Sequence, residues 1–323
     1  MGQRDDGAIA STTTDGTEPA RQLSTSDAVR LPESLLARYR RFSLYNSPYP
    51  AHDAGCAIDC YPGTLRDGRT TAAPSPVAGT VLETRTVRAP PKPYAVEHDH
   101  LILLECDGPP PLSGLVARIL HVEPTVTAGD RVEPGDSLGE LVRVGFFAPW
   151  VDNHLHVGFR RPDQHLHRAT GSLPLELGVD VEPLEWDGTG RVVATGETYA
   201  VLDAPAHPDP GERFVGIGTD DDGVLDGGVP HYDGGGVHGR VRQGGDHSAA
   251  IGLLGSRLGT LAGDGRTIAW DALEVTVDGH PITGLSTFCA RDDGFGAKLI
   301  CPDHGLSVGE TVAVDVRSPV DDA

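Results

Sequence analysis

Three observations in the sequence predict an all-β protein of two domains. Glycine (42) and proline (26) together exceed a fifth of the 323 residues. Both interrupt helices, glycine through backbone entropy and proline through its missing N–H. The apolar residues come in short runs bounded by Gly, Pro and Asp, the pattern of strands between tight turns. The stretch Thr127-Ala-Gly-Asp-Arg-Val-Glu-Pro-Gly-Asp-Ser-Leu-Gly139 sets two Gly-Asp turns around a valine, which makes two tight turns about a short strand.

Along the chain, residues 1–23 are polar, with no apolar face to bury, and are expected to form a disordered tail. Ser24 to Leu31 opens a short capped segment. Leu31, Leu35, Leu36 and Tyr39 then recur at helical spacing with Pro32 in the first turn, which predicts an N-terminal helix to about Arg41. This helix and the following strands form a first β domain over 24–170. Its strands are Val77–Val87, His100–Cys106, Leu115–Val122 and His154–Arg160, and Ala89–Pro93 and Gly108–Pro111 are stiff loops. A second β-rich domain spans 171–323, with the change of character between Arg168 and Trp186. Trp186–Ala204, Ala272–Val277, Lys298–Cys301 and Thr311–Val316 are its strands, and Gly216–Gly239 is a long loop or hairpin array. There is no exact internal repeat.

The net charge is 26 − 47 = −21, and the only lysines are Lys92 and Lys298. An Asp-rich, Lys-poor surface is what a salt-loving organism uses to stay hydrated while salt screens self-repulsion. Such charge argues against nucleic acid and anionic membranes as partners. There is no apolar leader and no apolar run long enough to span a bilayer, so the expected location is the cytoplasm. Five cysteines, Cys56, Cys60, Cys106, Cys289 and Cys301, are an odd set without metal-finger spacing. They read as small buried hydrophobes.

The chemistry concentrates at Asn153-His154-Leu155-His156-Val157. Two histidines at i and i+2 on a strand leave from one face. Two imidazoles and a carboxylate from a neighbouring strand are the minimum of a catalytic zinc site. Asp59 and His121, far upstream, complete the pattern. Read alone, His121 is also consistent with a satisfied core histidine and the pair with surface decoration. His165 and His167 show that the same spacing arises without such company.

In order, Asn46-Ser-Pro-Tyr-Pro-Ala-His52 with Ala57-Ile-Asp59, Ser75-Pro-Val-Ala-Gly-Thr-Val81, Ile119-Leu-His121, the double-turn segment to Gly139, and His154-Leu-His156-Val-Gly-Phe159 resemble the M23 (lysostaphin-like) zinc metallopeptidases. The resemblance covers about a third of the chain. It implies a β-sandwich of the duplicated hybrid motif and a zinc-dependent hydrolase that cuts a peptide or amide bond with metal-activated water. It places Asp59 and His156 as zinc ligands, and His121 and His154 as the histidines that act on the water and the oxyanion. One departure stands out. The family's first histidine lies four residues before the aspartate, where this chain has Gly55. His52, seven residues before Asp59, serves only if Asp53–Gly55 forms a bulge or turn. The loop Gly145-Phe-Phe-Ala-Pro-Trp-Val-Asp-Asn153 replaces a polar loop of the family and is expected to wall the site with aromatics. Cys56 and Cys60 fall on the opposite strand face, and His98 and His100 flank Asp99 just before a strand. The second-domain histidines (His207, His231, His238, His247, His280, His304) read as surface residues.

Two other readings compete. A degenerate copy of the same fold would bind or scaffold without catalysis. A biotinyl or lipoyl carrier would need a lysine at a hairpin tip, and Lys92 within Ala89–Pro93 lacks the expected neighbours.

Overall fold

The computed structural model describes residues 28–239, 241 and 250–318. The tail, residues 24–27 of the Ser24–Leu31 segment and His247 lie outside the described residues, and Val29–Leu31 of that segment fall in a strand. The protein is all-β, with two domains. Its described residues form 27 strands and two four-residue helices. No helix among them is long and apolar enough to cross a membrane.

A ten-stranded sheet carries the first half of the chain. In spatial order its strands are Val181–Leu184, Phe214–Ile217, Cys289–Ala290, Arg41–Ser43, Ile58–Tyr61, Leu155–Arg160, Val116–Leu120, His98–Cys106, Gly79–Arg88 and Arg131–Val132. The first three come from the second half, so the two halves share one hydrogen-bonded sheet. A twelve-stranded sheet is built wholly from 189–317.

Alternation decides which side of the shared sheet is core. Leu155, Val157 and Phe159 enter one apolar cluster with Ala117, Ile119, Ile102 and Leu104. The intervening residues, His156, Arg118, Leu120, Leu101 and Leu103, therefore stand on the opposite face. A second cluster, including Val192, Leu225, Leu285, Leu299 and Val312, fills the other half.

The N-terminal helix is a single turn, Glu33–Leu36, preceded by the strand Val29–Pro32 and followed by the strand Arg41–Ser43. Leu31 points into the core from a strand that pairs in parallel with Leu175–Gly178. Arg40 N–H already bonds to Tyr61 O, so sheet pairing captures the chain before helical spacing can extend to Arg41. The glycine-rich stretch 216–239 resolves into a hairpin of Val224–Val229 against Gly234–His238. Its glycines make room for rings: a Cβ on Gly236 would lie 2.2 Å from Tyr45, and one on Gly235 2.3 Å from Trp270.

In the double-turn segment, Gly129 and Gly135 adopt φ +95° and +98°, which only glycine does without strain. The Asp130 and Asp136 carboxylates accept the Thr127 and Glu133 N–H groups and close the two turns. All five cysteines are buried and unpaired.

Candidate metal centre

One row of the shared sheet sets the site. Ser43 pairs with Asp59, Asp59 with His156, His156 with Leu120 and Leu120 with Leu101. Asp59 and His156 are thus direct cross-strand neighbours on the face away from the core. His52 arrives from the side, on the helical turn Pro50–Asp53. Gly55 at φ +59° then reverses the chain into the Ile58–Tyr61 strand. This turn absorbs the three extra residues between His52 and Asp59, and brings the His52 ring against the carboxylate.

His52 Nε2 lies 3.3 Å from Asp59 Oδ1 and 3.1 Å from His156 Nδ1, and His156 Nδ1 lies 3.0 Å from the same oxygen. A zinc ion holding ligands at about 2.0–2.1 Å in tetrahedral surroundings separates them by about 3.3 Å. The three atoms are therefore spaced as ligands of one ion; His52 and Asp59 are buried and His156 is half-buried.

The tautomer supports the same fit. His52 Nδ1 lies 2.7 Å from the Leu44 carbonyl, which can only accept. Nδ1 carries the hydrogen, so Nε2 either bears a second proton that it donates to Asp59 or, in the neutral ring, turns a lone pair toward it. Lone pairs facing one another in a dry site call for a shared cation or proton.

Electrostatics follow from burial and from Asp59. Burial pushes the His156 and His154 imidazoles down to about 4, against the pull of Asp59, so both are neutral near pH 7. Neutral imidazole is the form that binds a metal. Burial also presses on His52, but the charge and hydrogen bond of Asp59 and the Leu44 carbonyl outweigh it, and its pKa lies above the ordinary value. Burial would raise Asp59. The neighbouring His154 and His52, with hydrogen bonds from His156 and His52, instead hold it well below the carboxylate range.

His154 Nε2 stands 3.4 Å from Asp59 Oδ2, and its Nδ1 donates to the Asp152 carbonyl at 2.9 Å. His121 closes the other side, its ring centroid 5.2 Å from His154 and 5.7 Å from His156. It sits in the left-handed region at φ +72°, an uncommon conformation for a residue with a side chain. Asp99 pins it there: Oδ1 accepts the His121 backbone N–H and Oδ2 faces its Nδ1, both at 2.9 Å.

Four of the five predicted residues, Asp59, His121, His154 and His156, line one cleft of about 240 Å³, and His52 is buried behind it against Asp59 and His156. The 145–153 loop does wall it. Phe147 stacks on His154 with centroids 4.5 Å apart, and Phe146 and Tyr49 line the mouth. Trp150 instead turns away, edge-on to His231.

Residues 30–177 match the family model described as Domain of unknown function (DUF8155) N-terminal domain, and residues 182–317 match that of the DUF8155 C-terminal domain. The chain belongs to the DUF8155 family. No curated protein and no solved structure matches it. Every residue of the His52–Asp59–His156 cluster, with His121 and His154, falls within the DUF8155 N-terminal domain.

The DUF8155 C-terminal domain supports this cluster from behind. Asp226 accepts the Leu44 N–H at 2.7 Å, and the Ser43 hydroxyl also donates to it, so it fixes the residue whose carbonyl, in the next peptide, holds His52. Lys298 and Arg41 both bond to Asp152 at 2.9 Å, and the Asp152 carbonyl holds His154. Spacing alone misses these partners. Asp99 has a signal, since it falls in phase with Leu101 and Leu103 on a strand, where a carboxylate needs a reason. Asp226 and Lys298 have only their rarity in apolar runs.

Two histidines placed on the surface by sequence are not there. His238 is buried and bonds to Asp226 at 2.8 Å. His231 has both ring nitrogens out of solvent, and burial pushes it down to about 4. The glycine hairpin draws both into the packing between domains.

Proposed function

We propose that this protein is a zinc-dependent hydrolase of the M23 metallopeptidase type, cleaving a peptide or amide bond with metal-activated water. The observation that carries the reading is the mutual 3.0–3.3 Å spacing of His52 Nε2, Asp59 Oδ1 and His156 Nδ1, the last two on the wall of a cleft. Two histidines and one carboxylate leave an open position, as catalytic zinc sites do. Bound there, zinc would supply Lewis acidity, lowering the pKa of a water to about 7 and polarising a carbonyl.

The chain's own residues supply the remaining parts. His121, oriented through Nδ1 by Asp99, turns Nε2 toward the cleft, in the arrangement of a general base held by a carboxylate. His154, oriented through Nδ1 by the Asp152 carbonyl, keeps Nε2 for the reacting side. The two rings would accept hydrogen bonds from the attacking water through Nε2, and the ring that takes its proton would, as imidazolium, donate to the oxygen on which charge develops. Phe147 against both rings excludes bulk water and fixes their planes.

The test is digestion of a mixed peptide library by the zinc-loaded chain in ¹⁸O-enriched water, read by mass spectrometry. The expected result is zinc-dependent cleavage with one heavy oxygen in each new carboxyl group, abolished in His121→Ala and His154→Ala while both variants keep their zinc. A zinc-loaded chain that cleaves nothing would favour the binding or scaffold reading of the same fold.

A further inference from the structure

Four cationic side chains are buried among the described residues: Arg41, Arg118, Arg160 and Lys298. Three are accounted for. Arg41 and Lys298 share Asp152. Arg160 donates to the carbonyls of His165, Arg168 and Thr170, which fasten the 161–171 loop. Arg118 is different. It is 4% exposed, lines the cleft, and donates Nε–H to Leu166 O at 2.6 Å. A guanidinium has five N–H donors in a planar fork, and no carboxylate pairs with this one among the described residues. Burial, with the charge of Arg160 adding, pushes its pKa down to about 10, the mark of a cation held in a dry wall without an anion.

Its place in the sheet sets the distance to the metal cluster. Leu120 is the cross-strand partner of His156, and Arg118 lies two residues along the same strand, on the same face, opposite Gly158. At about 3.4 Å per residue this puts Arg118 roughly 7 Å from the metal row. One or two residues of extended peptide cover that distance. The floor of the cleft is apolar here: Leu120 and Leu101 lie in the metal row itself, and Val87 lines the cleft beyond it.

We propose that Arg118 is the carboxylate subsite of the cleft, taking the free C-terminus of a peptide with apolar side chains and setting its last one or two residues against the metal cluster. The proposal rests on the hydrolase reading for its consequence, exopeptidase rather than internal cutting, but not for the binding itself. A buried guanidinium fork meets a carboxylate with two parallel charge-assisted hydrogen bonds, and the apolar walls strengthen them by excluding water. On a surface of net charge −21 this cation supplies a local preference for an acidic end that the rest of the molecule would repel.

The test is calorimetric titration of the full chain, zinc-free and zinc-loaded, with N-acetyl-leucyl-leucine and with its C-terminal amide. In zinc-free protein the acid is expected to bind at least about tenfold more tightly than the amide. Arg118→Gln should bring the ratio to about one while amide affinity is kept. If that variant does not fold, Arg118→Lys, which keeps the charge without the fork, should reduce the ratio severalfold. Equal affinities in the wild type, no binding of either probe at millimolar concentration, or a preference that survives substitution would each overturn the proposal. Because the comparison needs no metal, the two failures are distinct. Loss of the metal reading shows as a chain that binds no zinc yet prefers the acid. Loss of this one shows as a zinc-binding chain indifferent to it.

Discussion

Asp226 Oδ2 accepts the backbone N–H of Leu44 at 2.7 Å across 182 positions of sequence. The other side of the same residue, its carbonyl, fixes the His52 ring. The C-terminal domain therefore reaches His52, a proposed zinc ligand, through a single residue. Partners one step behind a ligand typically contribute 10–100-fold to metal affinity. Asp226→Asn can keep one acceptor where the carboxylate serves Ser43, Leu44 and His238. It is expected to weaken zinc binding by about 10–100-fold in a chelator competition. An unchanged affinity in the folded variant would show that the relay does not position His52.

Asp99 holds His121 in the same way, and His121 is the proposed general base. Asp99→Asn keeps the size and loses the charge that sets the Nδ1–H tautomer. The expected outcome is normal zinc content with cleavage slowed about 10–100-fold. A fall in zinc content instead would place His121 among the ligands.

The Arg41–Asp152–Lys298 cluster makes an asymmetric prediction about stability. Asp152→Ala leaves two buried cations without an anion and should cost about 3–5 kcal/mol in urea unfolding. Lys298→Met leaves the neutral Arg41–Asp152 pair intact and should cost less. Equal losses would mean that the cation surplus is hydrated in solution.

Metal-free protein should lose stability as the solution is acidified from pH 6.5 toward 4. His154, His156 and His231 are each pushed by burial to about 4 from an ordinary 6.5. Within that window the unfolded chain binds protons that the folded chain refuses, so stability rises with pH. His52, shifted upward, has the opposite sign: its contribution is complete below 6.5 and fades only as pH rises through its folded value. Asp59 adds its own loss only below the ordinary carboxylate range. The urea midpoint should fall from pH 7 to pH 4.5 by an amount worth several kcal/mol, since each tenfold drop in a ring's proton affinity on folding is worth about 1.4 kcal/mol. A midpoint that is flat or rises on acidification would contradict the burial of these rings.

Much of the fold and site is legible in the residue pattern because strand alternation is local. Leu155, Val157 and Phe159 declare one face, which assigns His156 to the other, and the paired Gly-Asp turns announce themselves. The pattern overextends the Glu33–Leu36 helix because helical spacing at Leu31, Leu35 and Tyr39 says nothing about the sheet waiting at Arg41. The approach of His52 to Asp59 hangs on a turn at Gly55 that spacing alone leaves open. Beyond the rarity of Asp226 and Lys298 in apolar runs, the contributions of Asp226, Lys298 and His238 are not legible. They depend on strands such as Cys289–Ala290 joining the sheet of the other half, a long-range pairing that leaves no mark in local periodicity.

The central claim is that His52, Asp59 and His156 hold one zinc ion. Its most direct test is metal content by plasma mass spectrometry on the full chain purified in high salt without chelator, then loaded with zinc and desalted. The expected value is about one zinc per chain, lost in His52→Ala and in His156→Ala. A wild-type chain that retains no zinc after loading would contradict the claim.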